Sequence, residues 1–115
     1  MGAIREIIYS NEFYDYYNTL EENIREKYDY ALTIVRSQYI VNKKFIKNIE
    51  NSDFYELRIS IGNNEYRTVI FAIDHNNFIQ ANRIILLNSF LKKDKKQYKK
   101  EINKAVNILK KYMEE

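Results

Sequence analysis

A chain of 115 residues, 45% hydrophobic and with a net charge of +3, reads as one domain over residues 1–115 with a modest core. It contains no cysteine, which excludes disulfides, thiolate zinc sites and a cysteine nucleophile. No secretory leader and no apolar run of bilayer-spanning length can be read, so a cytoplasmic protein without a membrane partner is expected.

Ile4–Tyr9 has the β-branched content of a first strand. Ser10 can cap the helix that follows, in which Phe13, Tyr16, Tyr17 and Leu20 recur at helical spacing. Thr19 and Glu22 have the spacing of a capping box, which predicts a second helix from there to about Gln38. Its apolar stripe is Ile24, Tyr28, Ala31, Leu32 and Val35, and the two helices are expected to pack as a hairpin. Val41–Asp53 is basic and broken up, and reads as a loop or one short turn. Phe54–Ile61 alternates, meets the turn signal Gly62-Asn63-Asn64 and returns as Glu65–Ile73. Asp74–Asn77 is a turn, Phe78–Ala81 is ambiguous, and Arg83–Leu91 is the most apolar strand, expected at the centre of a sheet. A helix from Asp94 carries Ile102, Ala105, Val106, Leu109 and Met113 on its stripe, with the lysines off it.

Charge is uneven along this order. Residues 1–30 carry seven acids against Arg5, Arg25 and Lys27, while residues 92–111 carry nine lysines against Asp94 and Glu101. Such asymmetry fits a polyanionic partner, and equally a solvated lysine-rich helix. Arg58 and Arg67 sit inside apolar strand-like runs, and a third run ends on Lys92 and Lys93. Cations in a sheet are costly unless something anionic uses them, so these residues suggest a phosphate-binding face. No His, Asp and Glu cluster has metal-ligand spacing and there is no glycine-rich phosphate loop, so neither metal nor cofactor is expected.

Tyr55-Glu56-Leu57-Arg58, Glu65-Tyr66-Arg67, Ile85 to Lys93, and Lys100-Glu101-Ile102 with Ala105 together resemble the phage-derived HigB-like toxins of the RelE superfamily. The resemblance implies an α+β RelE-like fold: a small, mostly antiparallel sheet with two N-terminal helices and a C-terminal helix. It also implies a type II toxin, a metal-independent, ribosome-dependent endoribonuclease acting on mRNA. A HigA-like helix-turn-helix antitoxin would be its neutralising partner. On the matching positions Arg67, Arg58 and Lys93 take the catalytic role, and Lys92, Lys95, Lys96 and Tyr98 bind RNA phosphates or bases. The chemistry suits these residue types. In metal-free cleavage the ribose 2′-hydroxyl attacks the adjacent phosphate, and positioned cations must stabilise the phosphorane.

Each residue also has a plainer reading. Arg58 can pair with Glu56 or Glu65, Arg67 with an acid such as Asp74, and both lysines can simply be solvated. Glu56 and Glu65 are read as structural partners, and His75 as a turn residue. The chain departs from the family after its two lysines: Asp94, Gln97 and Tyr98 stand where threonine and a threonine–proline step are common. The alternative function is a non-catalytic RNA- or protein-binding module of the same fold.

Overall fold

The computed structural model describes residues 3–114. Strand β1 (Glu6–Tyr9) leads into helices α1 (Asn11–Tyr17) and α2 (Glu22–Ser37). Strands β2 (Ile46–Asn48), β3 (Phe54–Ile61) and β4 (Asn64–Ala72) follow. A single 3-10 turn at Phe78–Gln80 precedes β5 (Arg83–Leu91) and helix α3 (Lys95–Glu114). The sheet order is β1-β5-β4-β3-β2; β1 pairs with β5 in parallel, and the other pairs are antiparallel. The expected α+β class and the expected strands around Arg58, Arg67 and Ile85 are therefore present. β5 is an interior strand, although β4 is the middle of the five.

Local chemistry explains the elements. Ser10 caps α1: its hydroxyl accepts from the Phe13 N–H and donates to the Leu87 carbonyl. The β3–β4 hairpin turns on Gly62 and Asn63. Gly62 takes φ 59°, a left-handed conformation that suits glycine at the first position of a two-residue turn. Helices α1 and α2 cover one sheet face, burying Phe13, Tyr28 and Val35 against Leu57, Ile70 and Leu86. Helix α3 covers the other, placing Ala105 and Ile108 over Val69, Ile85 and Leu87. No helix is long and apolar enough to cross a membrane among the described residues.

Three expectations need correction. The Thr19–Glu22 capping box does not form: Glu21 is the N-cap of α2 and makes no side-chain cap bond, while the Thr19 hydroxyl donates to Tyr16 O. Val41–Asp53 is not all loop, because Ile46–Asn48 pairs with Leu57, Glu56 and Tyr55 as an edge strand. Three residues with one buried position leave too little alternation to read. On α3, Ile102, Ala105, Val106 and Leu109 pack on the sheet as expected, but Met113 is 64% exposed and Ile108 is buried with them. The β4–β5 ladder also carries a bulge. Thr68 pairs with Ser89 and Ile70 with Leu86, so Leu87 and Asn88 both oppose Val69.

Arg5 is a structural cation that the charge count alone could not reveal. It is 1% exposed and has no acidic partner among the described residues. Its guanidinium donates to the carbonyls of Ala81, Val35, Gln38 and Tyr39 and lies 4.3 Å from the Phe78 ring centre. The free carbonyls at the end of α2 are thereby satisfied, and that end is tied to the segment before β5.

Candidate functional site

The hairpin register builds the site. Because Ile61 pairs with Asn64, Arg58 pairs with Arg67, and directly opposed residues share a face. Glu56, two residues before Arg58, points the same way. That face is the one covered by α3, and the three side chains lie where the N-terminal end of α3 presents Tyr98.

Glu56 is the hub. Its Oε1 lies 3.5 Å from Arg58 Nε and its Oε2 3.8 Å from Arg67 Nε. The Tyr98 hydroxyl donates to Oε2 at 2.5 Å. Arg67 is 2% exposed, donates to its neighbour's carbonyl, Tyr66 O, at 3.0 Å, and pairs with Glu65 at 3.3 Å. Its Nε makes no hydrogen bond, since the 3.8 Å approach to Glu56 is too long for one. The buried guanidinium therefore keeps its Nε donor unused. Arg58, 31% exposed at its side chain, is the arginine open to solvent.

Electrostatics set the protonation states. Burial, then the hydrogen bond to and the negative charge of Glu56, push Tyr98 well above the ordinary phenol value. Tyr98 thus holds its proton across the neutral range and can donate but not act as a base. A hydrogen bond from Ser60, with Arg67 adding to it, holds Glu65 below the usual carboxylate range. Beneath the site, Ser89 donates to Arg67 O at 2.9 Å and contacts the Thr68 and Tyr28 hydroxyls. The bulge supplies this support: it turns Ser89 toward Tyr28 and Phe90 toward Tyr98, whose ring it meets edge-on at 5.9 Å.

The sequence-expected lysines divide. Lys92 donates its N–H to Glu65 O, and its ammonium lies 6.0 Å from the Tyr98 ring centre. Lys93, Lys95 and Lys96 are exposed. Lys93 follows β5 directly, one residue after the bond from Lys92 N–H to Glu65 O that ties this loop to the start of β4. The loop that carries these lysines is fixed by Asp94 and Gln97. Asp94 accepts from the Gln97 N–H, and Gln97 in turn donates to Leu91 O and accepts from the Lys93 N–H. Asp94 is therefore the cap of α3.

Asp74 and His75 stand apart from this cluster. Asp74 accepts from the Asn82 and Arg83 N–H groups, not from Arg67. His75 accepts from the Asn77 N–H within its turn. Glu56 is what sequence reasoning undervalued. Its strand parity with Arg58 was visible, but its contact with Tyr98 joins residues 42 positions apart.

Residues 15–110 match the model of a family described as phage derived protein Gp49-like. No curated protein matches the chain. A solved structure of the E. coli toxin RelE, a double arginine-to-alanine mutant in the free state, is similar with a TM-score of 0.56 at 14% identity, over 93% of this chain and 97% of that one. At that identity the likeness concerns the fold, which is RelE-like.

Proposed function

Since the chain belongs to the phage-derived Gp49-like family, we propose that it is the toxin of a type II toxin–antitoxin pair, a HigB-like endoribonuclease that cuts mRNA on the ribosome without a metal ion. The observation that carries this reading is the Glu56 carboxylate held between two guanidiniums and a phenol that keeps its proton. These are the groups that metal-free RNA cleavage needs, on one rigid sheet face.

In this mechanism Glu56 accepts the 2′-hydroxyl proton as the 2′-oxygen bonds to phosphorus. Arg67 and Arg58 take up the charge on the phosphorane, and the unused Arg67 Nε donor turns to a phosphate oxygen. The bond to the 5′-oxygen breaks, and Tyr98 protonates that oxygen once Glu56 has turned to the ribose. The products are a 2′,3′-cyclic phosphate and a 5′-hydroxyl. Lys93 adds its charge beside the phosphorane, and Lys92, Lys95 and Lys96 guide the RNA backbone. A HigA-like helix-turn-helix antitoxin neutralises the protein in the cytoplasm, and the ribosome orients the mRNA at the site.

One feature favours a non-catalytic binding module instead: Glu56 and Glu65 already neutralise the buried Arg67. Expression without an antitoxin separates the two readings. The nuclease arrests growth, and Arg67→Ala relieves the arrest while remaining folded. Undiminished toxicity in a folded Arg67→Ala protein rules the mechanism out.

A further inference from the structure

On the far side of Arg58 from Tyr98, the loop before β2 and one face of α2 enclose a second basic feature. A cleft of about 170 Å³ is lined by Lys27, Tyr30, Lys44, Phe45, Arg58 and Ser60 among others, and none of its lining residues is acidic. Tyr30 is 63% exposed, so its ring is available to stack on a ligand. Its ring lies 6.3 Å from that of Phe45, and the Lys44 ammonium lies 5.8 Å from the Phe45 ring centre. Three cations and an open aromatic face around a small cleft are the components with which proteins hold a single-stranded nucleotide. Arg58 belongs to both places: it lines this cleft and its Nε faces Glu56.

We propose that this cleft is a nucleotide subsite for the RNA strand that is cut, with one base stacked on Tyr30 and its phosphate held by Lys27 and Lys44. Arg58 links the subsite to the neighbouring phosphate at Glu56. The proposal rests on the nuclease reading of the Glu56 site, and binding can be measured apart from cutting. The strand leaves the scissile phosphate across the Arg58 side chain. It follows β3 toward Ser60, past the bond from the Arg58 N–H to Phe45 O that continues the β2 edge.

The test uses the full chain and a fluorescent single-stranded hexanucleotide with 2′-O-methyl riboses, which cannot be cleaved. Anisotropy titrations read its Kd for the wild type and variants. Tyr30→Ala should weaken binding about tenfold, as loss of one base stack does, while Tyr30→Phe keeps it. Tyr14→Ala, at another exposed tyrosine, should change nothing. Lys27→Ala with Lys44→Ala should lower the dependence of log Kd on log salt by about 1. Binding by the wild type that all these variants retain overturns the subsite. So does a wild type that binds no oligonucleotide. The cleavage reading is decided separately, by Arg67→Ala on translating ribosomes, so either idea can fail alone.

Discussion

Replacing Glu56 by Gln separates a catalytic carboxylate from a structural one. The substitution keeps size and an oxygen acceptor for Tyr98, and removes the charge and the ability to take a proton. Removing one partner of a fully buried ion pair costs about 3–5 kcal/mol. Three facts reduce that figure. The contacts to Arg58 and Arg67 are 3.5 and 3.8 Å, Arg58 is 31% exposed, and Arg67 keeps Glu65 and Tyr66 O. A loss of about 1–2 kcal/mol follows. Set against a typical total of about 5–15 kcal/mol, it leaves the protein folded. Loss of a general base, in contrast, slows the chemical step by about 10²–10⁴. Thermal unfolding and single-turnover cleavage on programmed ribosomes read the two effects on one sample. A folded Glu56→Gln protein that keeps more than about a third of the wild-type rate refutes the assignment of Glu56 as base.

Three further predictions concern the framework. Arg5→Met keeps the apolar stem but leaves the carbonyls of Val35, Gln38, Tyr39 and Ala81 without their donor, and should cost about 3–5 kcal/mol in denaturant unfolding. Gly62→Ala meets no neighbouring atom but forces φ 59° on a residue with a Cβ, so it should cost about 1–2 kcal/mol, and Gly62→Asn less. Tyr16 and Tyr17 are raised by burial from 10.0 to about 12, and Tyr28 and Tyr98 are raised too, chiefly by burial. Groups that hold protons more tightly when folded give stability that is complete below their unfolded pKa. That stability is lost as pH rises through the folded values. Melting temperature should therefore fall above about pH 10, as tyrosinate absorbance appears, and Tyr98→Phe should flatten part of that fall.

The site's frame was legible only in part. The turn signal at Gly62-Asn63-Asn64 located the hairpin, but a three-residue turn with a return strand from Glu65 would set Arg58 opposite Thr68. The turn is Gly62-Asn63 alone, so Ile61 pairs with Asn64, Arg58 opposes Arg67, and Glu56 shares their face. What could not be read was tertiary. The bulge at Leu87 and Asn88 breaks the alternation of faces that an unbroken β5 would carry, and it decides which of Ser89 and Phe90 faces α3. Tyr98 was one of eleven tyrosines until its hydroxyl met Glu56. Asp94 looked like a charge misplaced beside a phosphate site, but its backbone partner makes it a helix cap. β2 was too short and too basic to show a period, and Arg5 gave no hint of burial because its partners are carbonyls, which have no sequence signature.

The central claim is tested most directly by mapping new mRNA 5′ ends in a purified translation system supplied with the protein, with Arg67→Ala alongside. New ends carrying a 5′-hydroxyl, formed only on translating ribosomes, unaffected by added chelator beyond its effect on translation, and reduced about 10²–10³-fold in Arg67→Ala, are the predicted result. Equal cutting by the folded Arg67→Ala protein, or cutting of naked RNA that requires added Mg²⁺, contradicts it.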